Sequence, residues 1–213
     1  MYGVSWTLTN DVNKRHKLLR PIAIGVLRND IKSINPVKKK DLSLPMHLAS
    51  VGMLEKRKNQ RLLLEIMKRL QPEQARLYLY GVGPDEQLLR KIVDDEKLSG
   101  RVQLMGWVES DDIWPDIDLL LMPSLHEGAP NAVMEALSHG VPVLASDIPE
   151  HVEILPQEDL LSTDQPEKWV EVLSQNESIL IKEIAKIASR QAVSCGKLNF
   201  NWEDDFVELV SKI

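Results

Sequence analysis

From residue 46 onward, short runs of mostly apolar residues alternate with longer stretches in which apolar residues recur every three or four positions. Residues 46–52 (M-H-L-A-S-V-G) form the first run, which follows Pro45, ends on a glycine and predicts a buried strand. Over 59–70, Leu62, Leu63, Ile66, Met67 and Leu70 fall at helical spacing, and Pro72 supplies a stop just beyond. The same alternation predicts strands over 76–81, 101–105, 118–122 and 141–145. Helices are predicted over 85–97, 110–114 and 131–139, with more between 166 and 192. No fixed-period repeat appears.

Strands that alternate with helices over short connections run parallel, and strands apolar on both faces need helices on both sides. The expected fold is therefore a doubly wound, Rossmann-like α/β domain with five parallel strands. Ligands in such sheets bind outside the carboxyl ends of the strands, near the point where strand order reverses. The informative loops are then those after Gly52, Gly81, Met105, Met122 and Ala145.

Composition changes this picture little: 43% hydrophobic and 27% charged residues are ordinary for a globular chain of 213 residues. Cys195 is the only cysteine, which excludes an intrachain disulfide and a cysteine-based zinc cluster. The first residues lack the pattern of a signal peptide, and no window approaches a membrane span, so the chain reads as cytoplasmic. Charge is uneven. The net −6 conceals a leader in which nine Lys/Arg before residue 41 face only Asp11 and Asp30. Such a leader is either a solvated tail or a peripheral contact with anionic lipid at the inner membrane face or with a phosphorylated acceptor. Nucleic acid is disfavoured by the acidic body and the lack of interleaved aromatics.

The loop after the fourth strand carries the most chemistry: P-S-L-H-E-G-A-P-N-A-V-M-E-A, residues 123–136. Gly128 and Ala129 admit a ligand close to the backbone, and Pro130 suits the first helical turn, which leaves the amides of Asn131 and Ala132 free for an anion such as a diphosphate. Glu127 precedes the helix and Glu135 lies inside it. A carboxylate can span a vicinal diol, as ribose and hexoses present, although Glu127 could equally answer the helix macrodipole. His126 reads as ordinary surface. After the first strand, Lys56, Arg57 and Lys58 crowd a helix start, where the macrodipole disfavours cations. An anionic ligand would reverse that balance, with Lys58 the candidate to neutralise it; a solvated basic turn is the alternative. G-V-G-P at 81–84 lacks dinucleotide spacing and reads as a tight turn, and the backbone from Gly106 to Val108 could line a base pocket, with Trp107 there or in the packing. Asp147 and Glu153 flank the loop after the fifth strand, where either could cap a helix.

In combination, E-G-A-P-N-A-V-M-E-A after P-S, followed by G-V-P-V-L-A-S-D, resembles the E-x7-E region of glycosyltransferase family 4, retaining enzymes of the GT-B fold. V-G-M-L-E-K-R-K-N resembles the family's G-R-L-x-x-x-K-G segment, Y-G-V-G-P its G-x-G-P turn, and V-Q-L-M-G-W-V the strand leading to the base. Leu27 to Ile31 with Pro36 resembles the interdomain linker, and Phe200 to Glu203 the start of the terminal crossover helix. The resemblance divides the chain into a basic leader and linker remnant over 1–45, a nucleotide-sugar-binding domain over 46–195, and a crossover helix over 196–213.

Carried over, the resemblance makes Lys58 a diphosphate ligand, Glu135 a ribose ligand and Glu127 the contact to the transferred sugar at the reacting centre. Gly52 joins the donor-binding set. The backbone of Gly128, Ala129, Pro130, Asn131 and Ala132 would hold sugar and phosphate, and that near Val108 the base. It implies a UDP- or GDP-linked sugar donor, no metal and no cofactor. It also implies a C-terminal donor half whose N-terminal acceptor domain is absent or supplied by a partner chain, so that the chain alone would not transfer. Met53 stands where the family often has arginine, and Glu150 replaces a glycine. Two other readings are a partner-dependent binding or assembly module and, less favoured by the E-x7-E pattern, a sugar-nucleotide epimerase-like domain.

Overall fold

A computed structural model describes residues 42–195. The basic leader, the linker-like segment and the terminal helix expected from Phe200 onward lie outside the described residues.

Six parallel strands form one sheet: β1 (Met46–Val51), β2 (Ala75–Tyr80), β3 (Val102–Gly106), β4 (Leu119–Met122), β5 (Val143–Ser146) and β6 (Leu160–Leu161). Their order is β3-β2-β1-β4-β5-β6, which places the reversal between β1 and β4. The helices are α1 (Gln60–Arg69), α2 (Glu86–Asp95), α3 (Ser110–Ile113), α4 (Asn131–Ser138), α5 (Pro149–Val152), α6 (Pro166–Leu173) and α7 (Glu177–Cys195).

The doubly wound expectation holds, with one strand more than expected. β6 has only two residues, Leu160 and Leu161, paired with Ala145 and Ser146, and two residues cannot express an alternation that periodicity would detect.

Alternate strand residues enter two cores. Leu48, Leu77, Leu79, Leu119, Leu121 and Leu144 face Leu63, Ile66, Leu89, Trp169 and Ile184 on α1, α2, α6 and α7. Ala49, Leu120, Met122, Val143 and Ala145 face Ile113, Val133, Ala136 and Leu137 on α3 and α4. Each fully buried leucine stabilises the fold by about 1.5–3 kcal/mol relative to exposure, so the sheet is fixed from both faces and its carboxyl edge is a firm base for loops.

β5 reaches past the short β6, which leaves backbone groups of Val143 without a strand partner. Gln191 of α7 fills the gap: its Oε1 accepts from the Val143 N–H at 2.8 Å and its Nε2 donates to the Val143 carbonyl at 2.6 Å. The same Nε2 lies 3.0 Å from Asp159 Oδ2, and Arg190 pairs with the other Asp159 oxygen. One side-chain amide thus replaces a missing ladder rung.

Candidate functional site

The loops after β1 and β4 meet because these strands are neighbours at the reversal. The Leu125 N–H donates to the Arg57 carbonyl at 2.7 Å, joining them by backbone. The loop after β2 packs from the other side. A Cβ at Gly81 would lie 2.0 Å from the Gly52 carbonyl oxygen, and one at Gly83 2.3 Å from that of Leu54. G-V-G-P is therefore more than a tight turn; its glycines permit close approach to the loop after β1.

Within this frame lies an ion pair. Lys56–Lys58 form a 3-10 turn, Asn59 takes a left-handed conformation (φ 54°), and α1 begins at Gln60. Lys58 Nζ is 2.7 Å from Glu127 Oε1 and 2.9 Å from Oε2. Arg57 Nη1 donates to Oε2 at 3.2 Å while its Nε pairs with Glu55 at 2.7 Å, and Ser124 Oγ donates to Oε1 at 2.6 Å. The Glu127 side chain is 2% exposed and that of Lys58 13%. A buried carboxylate needs such donors, and here it has three. The cations crowding α1 are thus answered by Glu127 from within the chain. Gly52 (φ +144°) admits the Lys58 stem: its Cβ would stand 3.3 Å from Lys58 Cε.

The start of α4 differs from expectation. The helix begins at Asn131, directly after Pro130, as the 131–139 range predicts, but the Asn131 N–H, expected to be free, donates to the Ala129 carbonyl at 2.9 Å. With φ −81° and ψ 67°, Pro130 turns the chain so that its carbonyl takes the Val133 and Met134 amides. Ala132, in the first helical turn, is the remaining amide without an intrahelical carbonyl to meet. Gly128 has open space where its Cβ would be, with no atom within 4 Å.

Glu135 is half-buried, one helical turn further in, and is held by a different element from the ion pair. Its Oε2 accepts from Ser110 Oγ at 2.7 Å, and Ser110 Oγ accepts in turn from Trp114 Nε1 at 3.2 Å. α3 therefore orients Glu135. His126 is exposed, as an ordinary surface residue would be.

Three residues in direct line with Glu127 went unread in the sequence. Ser124, Ser146 and His151 are all buried, and Ser146 Oγ donates to the Ser124 carbonyl at 2.5 Å. His151 Nδ1 lies 2.9 Å from the Ser146 carbonyl and 3.2 Å from Ser146 Oγ. Burial pushes the His151 imidazole below its ordinary value; the Ser146 carbonyl and Glu127 oppose this and Lys58 adds to it. Only its position after β5 could have drawn attention to His151. Arg57, read merely as one of three cations, proves the second partner of Glu127.

Val108 is half-buried against the second core, while Trp107 is 68% exposed, so Trp107 is not a packing residue. The other exposed large apolar residues include Met53, Val82 and Leu125, each in a different loop at the carboxyl edge.

Residues 45–176 match the family described as glycosyl transferases group 1. Escherichia coli WcaL, whose name assigns it to colanic acid biosynthesis as a glycosyltransferase, is 30% identical over 146 residues, covering 62% of this chain and 36% of that protein. The chain thus matches little more than a third of that relative's length. Among solved structures, a point mutant of Staphylococcus aureus TarM in complex with fondaparinux, alpha-GlcNAc-glycerol and UDP superposes with a TM-score of 0.81 at 18% identity, covering 98% of this chain and 43% of that one. Anabaena HepE in complex with UDP and glucose gives 0.79 at 16% identity, covering 100% and 63%. These likenesses establish the fold, that of GT-B glycosyltransferases.

Proposed function

This chain belongs to the group 1 glycosyl transferases, and on that premise we propose that residues 46–195 bind a nucleoside-diphosphate sugar and present it for transfer with retention of configuration, as in family 4. The observation that carries the reading is the meeting of Lys58 and Glu127 at the strand-order reversal, beside the open backbone of Gly128.

In this reading Lys58, with Arg57 beside it, neutralises the diphosphate, and the Ala132 amide at the head of α4 adds a fixed donor. Glu127 accepts hydroxyls of the transferred sugar. Glu135, held by Ser110, takes the ribose diol, and the backbone near Val108 lines the base. As the sugar–phosphate bond breaks, charge gathers on the departing diphosphate. Donors already in position stabilise that charge without reorganising. The residues named supply this stabilisation by themselves, with a UDP- or GDP-linked donor and no metal or further cofactor.

The acceptor wall belongs to a second domain or a partner chain. Met53, Val82, Trp107 and Leu125 support this, since they line the carboxyl edge with exposed apolar surface from four separate loops. The same surface suits the second reading, a partner-dependent assembly module. The acceptor is then a glycan or a lipid-linked sugar, handled at the cytoplasmic membrane face; among the described residues no helix is long and apolar enough to cross a membrane.

Calorimetry of the chain with UDP-, GDP-, ADP- and TDP-sugars tests the reading. Binding of one class, with negligible transfer until the second wall is supplied, is expected. No binding of any class at millimolar concentration would sink it.

A further inference from the structure

His151 is wholly buried, and a phenylalanine or leucine would fill such space without leaving a ring nitrogen unpaired. Its Nε2 is buried with no hydrogen-bond partner among the described residues. Packing alone therefore does not account for an imidazole here; the bonds at Nδ1 do.

Those bonds have a single direction. The Ser146 carbonyl, 2.9 Å from Nδ1, can only accept, so Nδ1 carries the proton and Nε2 is the bare acceptor. The Ser146 hydroxyl gives its own proton to the Ser124 carbonyl at 2.5 Å, so at 3.2 Å from Nδ1 its oxygen receives. Ser124 Oγ then donates to Glu127 Oε1 at 2.6 Å, since that oxygen has no proton to offer in an ion pair with Lys58. Two arms therefore meet at Ser124: from the His151 side the donors reach its carbonyl through Ser146 Oγ, and its own hydroxyl donates on to the Glu127 carboxylate.

We propose that His151 is a positioning residue for Glu127, acting through Ser146 and Ser124 to fix the carboxylate where it meets the sugar of the donor. It does not touch substrate in this reading, and its functional arm rests on the proposed role of Glu127. Ser124 is the pivot: its carbonyl is held from the His151 side and its hydroxyl holds Glu127. The loops after β5 and β4 thereby act on one carboxylate.

Two measurements on the full chain test this. Nitrogen-15 NMR of the imidazole reports the tautomer: Nδ1–H is expected for His151, with a shift that moves in Ser146→Ala. An Nε2–H tautomer, or no response to Ser146→Ala, overturns the proposal. Calorimetry then compares UDP-glucose with UDP, and GDP-mannose with GDP. His151→Phe is expected to weaken the sugar nucleotide about tenfold, the effect of losing one well-placed hydrogen bond, and to leave the bare diphosphate nearly unchanged. His151→Asn, whose amide N–H can stand in for Nδ1–H, should restore most of the loss. Equal weakening of both ligands, or of neither, overturns the positioning role. If His151→Phe does not fold, Asn against Gln decides: retention by Asn and loss by Gln supports the role, and equal behaviour refutes it. If the unmodified chain binds none of the four ligands, the proposed UDP- or GDP-linked donor fails while the tautomer measurement still decides His151.

Discussion

The ammonium of Lys58 lies 2.7 and 2.9 Å from the two oxygens of Glu127, so the cation expected to receive a diphosphate is already held by a carboxylate of the same chain. A diphosphate entering here competes with Glu127 for Lys58. Lys58→Ala should weaken UDP or GDP binding by about 10- to 100-fold, the range of one lost charge-assisted contact. Glu127→Gln should do the opposite for the bare diphosphate, tightening it by removing the competitor, while weakening the sugar nucleotide. Titration of both ligands against both variants checks the pair of signs.

Two glycines of the site should separate stability from binding. A Cβ at Gly81 would meet the Gly52 carbonyl at 2.0 Å, and its φ of +129° is strained for any side chain, so Gly81→Ala should cost about 2–4 kcal/mol in denaturant unfolding. Gly128→Ala meets nothing within 4 Å and should leave stability within about 0.5 kcal/mol. The same methyl would occupy the space reserved for the donor, so sugar-nucleotide affinity should fall without any loss of fold.

Acid should destabilise the fold through His151. Burial sets its folded pKa below the ordinary 6.5, so between those two values the unfolded chain binds more protons than the folded one. Stability from this group is complete above pH 6.5 and is lost as pH falls through the folded pKa. Asp159 works in the opposite direction at lower pH, because burial raises its carboxyl above the ordinary 3.8 despite Arg190. Unfolding curves of the chain and of His151→Asn, compared from pH 8 to pH 5, isolate the contribution of the histidine as the difference in slope.

Replacing Gln191 by leucine should cost about 2–4 kcal/mol, because it strands the N–H and carbonyl of Val143 in a buried sheet. The loss should appear as a lower denaturation midpoint, with the sugar-nucleotide affinity of the remaining folded protein unchanged.

The strands that carry the site were legible because each is a short, mostly apolar segment bounded by turn residues, and parallel pairing follows from the helices between them. β6, with two residues, was too short for any period to register. In the site, Lys58 and Glu127 could be singled out one at a time from charge out of place and from motif, yet 69 residues separate them and only the β1–β4 pairing brings them together. The helix start at Asn131 was legible, but not that the Asn131 N–H is taken by the Ala129 carbonyl, because that bond depends on the ψ of Pro130, which composition does not reveal. Ser124, Ser146 and His151 matter through hydrogen-bond direction, which exists only once the backbone is in place.

Of the five tryptophans, Trp114 and Trp169 are buried in the two cores, Trp6 and Trp202 fall outside the described residues, and Trp107 is 68% exposed at the carboxyl edge of the sheet. With Trp6 and Trp202 replaced by phenylalanine, Trp107 is the exposed fluorophore among the described residues, beside two buried ones, Trp114 and Trp169. Its emission and its quenching by acrylamide would register a nucleotide arriving beside Val108, or a second wall closing over the loops, without any label being attached.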